Sequence, residues 1–150
     1  MTHSGFRVRA ARADDLADVL RLVAQASLPI DGVEDQFGDG YAIAECPAGL
    51  IGVEGIERYG SAALLRSAAV DSAWRGKGVG EALTRDRLQW AATHGVREVW
   101  LLTNTAAAYF PRFGFEPADR ASAPSLVRQS REFSETCCAS AVAMRLVLSN

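Results

Sequence analysis

A glycine-rich segment with two basic residues is the part of the sequence whose spacing most directly indicates chemistry. It reads Arg75-Gly76-Lys77-Gly78-Val79-Gly80 and lies between an apolar run and a segment with helical periodicity. Glycines lack the Cβ that keeps a ligand away from the backbone, and the first N–H groups of a helix have no internal partner. With the added cationic charges, this arrangement favours binding of an anion such as a diphosphate.

Two other phosphate-binding patterns do not fit this segment. A nucleoside triphosphate loop needs its lysine after the last glycine and before a hydroxyl residue, whereas Lys77 precedes Gly78 and no hydroxyl residue follows. A dinucleotide loop needs a third glycine, which Gly78-Val79-Gly80-Glu81-Ala82-Leu83 lacks. The remaining pattern is Arg-x-x-Gly-x-Gly after a strand.

This pattern resembles the acetyl-CoA loop of the GCN5-related N-acetyltransferases, the GNAT family. Further segments that resemble family elements follow in the family's order: Arg7-Val8-Arg9, Leu64 to Val70, and Phe110 to Phe115. The resemblance extends from Val8 to Leu148. It implies a single domain over residues 1–150, with an α/β (α+β) fold. The sheet of such a fold is mixed, twisted and mostly antiparallel, with about six to seven strands flanked by helices.

Two subgroups of the family are most similar to this chain. Ala63 to Ser67 and Glu132 to Cys137, with Ser140-Ala141, resemble the arsenic-resistance-associated N-acetyltransferases. Leu101 to Ala106 is similar to the acetyltransferase part of N-acetylglutamate synthases. The two subgroups imply different acceptors, so the sequence leaves the acceptor open.

The resemblance also implies acetyl-CoA as acyl donor and assigns its binding residues. Main-chain groups at the end of one strand would hold the pantetheine arm, and the glycine-rich loop would hold the diphosphate. The family's asparagine before the next helix is replaced by Thr103, with Asn104 beside it. The implied cofactor-binding residues are Ala68, Ala69, Val70, Arg75, Gly76, Lys77, Gly78, Val79, Gly80, Thr103 and Asn104.

Two residues are candidates for the proton transfers. Regular strand alternation places Glu54 and Glu57 on opposite faces, so only one can face the cleft, and the local resemblance favours Glu57 as base. Many family members carry a tyrosine acid where this chain has Phe110. Tyr109 is the neighbouring phenol, but adjacent α-helical residues point about 100° apart, so it reaches that position only if the helix is distorted.

The acceptor site is predicted from one strand and one late segment. Arg66 and Ser67 lie beside the expected cofactor arm, and an arginine can bind a carboxylate through two parallel hydrogen bonds. Cys137 and Ser140 belong to the segment that resembles the arsenic-associated subgroup, so we expect them in the acceptor pocket. Alternation along a strand leaves Arg66 equally compatible with the solvent face.

Composition limits the classes of function. The chain has 150 residues, 49% of them hydrophobic, and a formal net charge of −2, so we expect no nucleic-acid partner. No apolar run has the roughly 18 residues of a membrane span, and residues 1–6 do not resemble a signal peptide, so we expect a cytoplasmic protein. Three cysteines without paired metal-ligand spacing predict neither a disulfide framework nor a metal site.

The sequence therefore predicts an acetyl-CoA-dependent N-acetyltransferase for a small amine. An amino acid or an arsenic-containing analogue is the expected acceptor, with a role in arsenic resistance. Glutamate N-acetylation and a non-catalytic regulator that binds acetyl-CoA or arsenic are the alternatives. A homodimer and a monomer are both open.

Overall fold

The computed structural model describes residues 2–3, 5–28, 30, 33–38, 40–103, 106–130 and 141–148. Its strands are β1 (Thr2–His3), β2 (Phe6–Ala10), β3 (Tyr41–Cys46), β4 (Gly49–Tyr59), β5 (Ala62–Val70), β6 (Glu98–Thr103), β7 (Glu116–Ala118) and β8 (Val142–Val147). Its α-helices are α1 (Leu16–Gln25), α2 (Val33–Gln36), α3 (Val79–Thr93) and α4 (Ser125–Arg128). Short 3₁₀ helices occupy Ala13–Asp15, Ser72–Trp74, Phe110–Phe113 and Arg120–Ser122.

All described strands belong to one twisted sheet in the order β1-β2-β3-β4-β5-β6-β8-β7. Every neighbouring pair is antiparallel except β5 and β6, which are parallel. A parallel pair needs a crossover connection, which α3 provides. The predicted mixed, mostly antiparallel sheet flanked by helices is confirmed, and β1 is an added strand of only two residues.

The parallel pair separates soon after it forms. Within the described residues, the ladder joins β5 to β6 only at Ala62, Ala63 and Leu64. Val53 of β4 pairs with Ala69 of β5, but Gly55 pairs with Arg66, so β5 has one extra residue between these two pairs. This is a β-bulge, which bends the strand that contains it.

Helices cover both faces of the sheet. On one face, α3 packs on β4 through Val79 and Leu83, which would contact a Cβ placed on Gly52. On the other face, Val19 and Val23 of α1 pack in a cluster with Val53. Residues 52, 54 and 56 of β4 therefore point to α3, and the odd-numbered residues between them point to α1.

The sequence predicts a short helix from Thr105 through Arg112, but the described part of this segment has a different form. The described residues from Ala107 to Tyr109 form a turn, and Phe110–Phe113 is a 3₁₀ helix with a proline in its first turn. No helix among the described residues is both long and apolar enough to cross a membrane.

Candidate active site

A cleft of about 1010 Å³ opens where β5 and β6 separate. It is lined by the second half of β5, the first turn of α3, the end of β6, and the segment that leads into the 3₁₀ helix at Phe110. The main chain of β5 beyond Leu64 is not paired with β6. The cleft therefore exposes a strand edge whose polar groups can bind an extended ligand.

The glycine-rich loop forms one end of this cleft. Gly76 and Gly78 have φ angles of 76° and 86°, in the left-handed region that favours glycine, and Gly78 is the N-cap of α3. A Cβ built on either glycine would meet no atom within 4 Å, so the approach to the backbone is open. The open loop and the N–H groups of a 15-residue helix fit a phosphate group.

Most of the residues predicted to bind the cofactor line the cleft, but the side chain of Lys77 does not. Residues that line it are Ala68, Ala69, Val70, Arg75, Gly76, Gly78, Val79, Gly80 and Thr103. Lys77 is not among the lining residues, because its ammonium group lies 5.2 Å from the centre of the Trp74 ring. Thr103 accepts a hydrogen bond of 2.9 Å from the Ala106 N–H. Asn104 lies outside the described residues.

Of the two candidate bases on β4, Glu54 lines the cleft and the expected Glu57 does not. The two side chains lie on opposite faces of β4, as predicted, and Glu54, on the α3 face, is the one that reaches the cleft. Glu57 points to the opposite face and is not among the lining residues. The structure therefore differs from the expectation for Glu57, whose role as base stays a prediction without support from its position.

Both oxygens of Glu57 have partners in a buried group. The Tyr59 hydroxyl donates to Glu57 Oε1 at 2.6 Å, and Arg66 Nη1 lies 3.3 Å from Glu57 Oε2. Arg66 Nε also donates to Ser67 Oγ at 3.1 Å. The Arg66 side chain is only 1% exposed, yet Arg66 and Ser67 both line the cleft. Because Glu57 and Ser67 fix it on two sides, the guanidinium group has a defined orientation at the cleft.

Glu54 is buried with one polar neighbour. Thr84 Oγ1 of α3 donates to Glu54 Oε1 at 2.8 Å, whereas Glu54 Oε2 has no hydrogen-bond partner among the described residues. Burial raises the pKa of Glu54 to about 8, against the opposing effects of the Thr84 hydrogen bond and the Arg87 charge. Glu54 therefore carries a proton at neutral pH.

Tyr109 lines the cleft, although the sequence indicated that it would need a distorted helix to do so. The required distortion is present, because the segment is a turn followed by a 3₁₀ helix. The Tyr109 hydroxyl would lie 3.4 Å from a Cβ on Gly80, and Phe110 is 8% exposed and packs with Phe115. Burial, the largest cause, raises the pKa of Tyr109.

The sequence model of the acetyltransferase (GNAT) domain matches residues 38–117, more than half of the chain. The chain belongs to the GNAT family. As a member of that family, it is an acyl-transferring enzyme that uses acetyl-CoA as donor. A search of curated protein sequences gave no significant match.

Solved structures of similar fold include several acetyltransferases. Rv2747 from Mycobacterium tuberculosis, in complex with CoA and NLQ, is 22% identical, with a TM-score of 0.81 over 95% of this chain and 99% of that chain. N-acetylglutamate synthase from Neisseria gonorrhoeae, complexed with coenzyme A and N-acetyl-glutamate, is 16% identical, with a TM-score of 0.84 over 99% of this chain and 36% of that one. The ribosomal-protein-S18-alanine N-acetyltransferase from Escherichia coli is 18% identical, with a TM-score of 0.76 over 97% and 95% of the two chains. At these identities the similarity establishes the fold.

Two residues that line the cleft were not predicted from the sequence: Glu54 was passed over in favour of Glu57, and Thr84 was missed. Gly52 carries the signal for Glu54, because a glycine two positions earlier on the same face marks the close approach of a helix. Thr84 follows Gly80 by four positions, so both lie on the same side of α3.

The predicted acceptor residues Cys137 and Ser140 lie outside the described residues. The described residues contain no group of three or more metal-ligating side chains.

Proposed function

We propose that this enzyme N-acetylates a small amine that carries a carboxylate, such as an amino acid or an arsenic-containing amino-acid analogue. The whole reaction would take place in a single domain in the cytoplasm, as monomer or homodimer. The observation that carries the proposal is Arg66, a buried cation that lines the inner part of the cleft. The other lining arginines, Arg75 and Arg112, are exposed.

In this proposal, the donor lies along the unpaired edge of β5. Main-chain groups of Ala68, Ala69 and Val70 bind its extended arm, and the loop with Arg75, Gly76 and Gly78 binds its diphosphate. Thr103 borders the arm from β6, and Lys77 contributes charge from the rim. Acetyl-CoA supplies the acyl group as a thioester, and the residues of the chain position it and move the protons.

Arg66 would orient the acceptor beside the thioester. Its guanidinium group carries five N–H donors in one plane and can bridge Glu57 and a substrate carboxylate. The hydrogen bond to Ser67 fixes this plane beside the bulge of β5. Glu57 then acts as a positioning residue for Arg66, and Tyr109 is the cleft phenol placed to protonate the departing thiolate.

The test of this proposal is release of CoA thiol with matched acceptors. Each L-amino acid is compared with the amine that lacks only its α-carboxylate. We expect turnover of the carboxylate-bearing partner to be favoured, and Arg66→Ala to reduce that preference roughly tenfold to a hundredfold. Arg66→Lys should restore it only in part, because lysine keeps the charge but lacks the planar fork. An equal loss on both acceptors would contradict the proposed role of Arg66.

The same assay separates the acceptor candidates. Glutamate and an arsenic-containing amino-acid analogue are compared at equal concentration, since the sequence resembles enzymes of both kinds. A preference for glutamate would support the alternative of glutamate N-acetylation. Counting reactive thiols with and without arsenite tests whether the cysteines bind arsenic directly. If no amine releases CoA, the proposed acceptor class is wrong.

A further inference from the structure

Glu54 is a buried carboxyl group that the proposed binding of donor and acceptor does not use. It is 1% exposed, yet it lines the cleft from the floor formed by β4. One of its oxygens contacts Thr84 at 2.8 Å, and the other has no hydrogen-bond partner among the described residues. A carboxyl buried in this way is costly for the fold, and such groups concentrate at functional sites.

Thr84 connects this carboxyl to the mouth of the cleft. Gly80 and Thr84 are four residues apart on α3 and therefore lie one above the other on the same side of the helix. The Tyr109 hydroxyl lies over Gly80, within 3.4 Å of where its Cβ would be. A hydrogen bond with Thr84 lowers the pKa of Tyr109, against the larger effects of burial and of the Glu54 charge. Tyr109, Thr84 and Glu54 all line the same cleft, and Thr84 contacts Glu54 directly.

We propose that Glu54 is the proton reservoir for Tyr109, and that Thr84 relays the proton between them. This inference rests on the proposed function in that Tyr109 protonates the thiolate. A hydroxyl group both donates and accepts, so the contact between Thr84 and Glu54 can carry a proton in either direction. Glu54 is a positioning residue in this scheme, because it acts through Thr84 and Tyr109.

The protons and bonds balance as follows. The acceptor nitrogen bonds to the acetyl carbon, the carbon–sulfur bond breaks, and the sulfur takes the proton of the Tyr109 hydroxyl. Tyr109 recovers a proton from Thr84, and Thr84 recovers one from Glu54. The acceptor ammonium loses two protons in becoming an amide. One of them returns to Glu54 through solvent, and the other is released.

The acid strengths explain why the phenol needs this reservoir. An ordinary phenol has a pKa of about 10 and a thiol of about 8.5, and burial raises the pKa of Tyr109 further. Tyr109 alone would therefore be left as an unfavourable phenolate in a buried site. With a pKa of about 8, Glu54 matches a thiol, so the final charge rests on the carboxyl.

The charged groups near these three residues come from α3, the 3₁₀ segment and β5. From α3, Asp86 raises and Arg87 lowers the pKa of Glu54. At Tyr109, Glu81 of α3 raises the pKa and Arg112 of the 3₁₀ segment lowers it. From β5, Arg66 is paired with Glu57 on the other face of the sheet.

The kinetic test uses Glu54→Gln, which keeps an oxygen for Thr84 but cannot deliver the carboxyl proton. With the best acceptor of the panel, whatever its class, we expect kcat to fall roughly tenfold to a hundredfold. The KM for acetyl-CoA should stay within about twofold. We expect kcat of the wild type to fall above about pH 8, and this fall should be absent from Glu54→Gln. Thr84→Val should cause a similar loss of kcat, and Thr84→Ser should restore most of it. The matched control is Thr93→Val, at an exposed threonine of the same helix.

A second measurement needs no acceptor and therefore separates this proposal from the proposed function. The titration of Tyr109 is followed by ultraviolet absorbance. Its contribution is the difference between the protein with Tyr109 and the Tyr109→Phe variant, measured once with Glu54 present and once in the Glu54→Gln protein. Glu54→Gln should lower the pKa of Tyr109, because the Glu54 charge raises it. An unchanged phenol titration in Glu54→Gln would overturn the connection. A wild-type kcat and pH profile in that variant, or equal losses in Thr84→Ser and Thr84→Val, would overturn the relay.

Discussion

Replacing Glu54 with glutamine should stabilise the protein, and by an amount that grows with pH. The pKa of Glu54 is about 8 in the folded protein against an ordinary value of 4.5. An acid whose pKa rises on folding holds more protons in the folded state, so the free energy of unfolding falls as pH rises through that window. At about 1.36 kcal/mol for each pKa unit, the wild type loses at most roughly 5 kcal/mol between pH 4.5 and 8.

The assay is urea unfolding of wild type and Glu54→Gln at three pH values. Near pH 4 the two proteins should agree within about 1 kcal/mol, and above pH 8 the variant should be more stable by up to roughly 5 kcal/mol. For a chain of this size, that difference corresponds to a shift of roughly 10 to 20 °C in Tm. Glu116→Gln, at an exposed glutamate, controls for loss of a surface charge. Parallel pH curves for wild type and Glu54→Gln would refute the reasoning.

Two glycine substitutions test the loop and the packing of the sheet. Gly78→Ala should weaken acetyl-CoA binding about tenfold, because the left-handed backbone costs an L-residue roughly 1–2 kcal/mol and the new Cβ enters the open approach to the loop. Gly60→Ala is the control, because Gly60 also has a positive φ but lies away from the cleft. Equal dissociation constants for acetyl-CoA in both variants would contradict the role of the loop. Gly55→Ala should cost roughly 1–3 kcal/mol of stability, because its Cβ would overlap the Tyr41 ring. Gly38→Ala meets no atom within 4 Å and should be near neutral in the same urea titration.

The order of strands and helices was accessible from the sequence because its signals are local. The apolar run of Ala62 to Val70 and the glycines before α3 each specify backbone geometry within a few residues. The left-handed φ of Gly78 was not predicted, although glycine is the residue that adopts it most readily.

The sequence did not show which of Glu54 and Glu57 lies in the cleft. Alternation correctly separates their faces, but which of the two side chains reaches the cleft depends on how α3 and β5 pack against β4, and that is a property of the whole fold. The position of Tyr109 depended on the form of a short helix. Pro111 inside the predicted helix was the available sign that its hydrogen bonding is not that of a regular α-helix.

Because β5 and β6 separate early, hydrogen exchange of the main-chain amides in β5 can report whether a ligand occupies the cleft. Among the described residues, the ladder between β5 and β6 does not continue beyond Leu64. Without donor, these amides exchange with solvent at rates set by local opening, while Ala63 and Leu64 are protected by the sheet. In the proposed binding mode, a donor along this edge adds hydrogen bonds to these groups. Deuterium uptake over Arg66 to Val70 therefore reports occupancy of the cleft directly, without any acceptor or turnover.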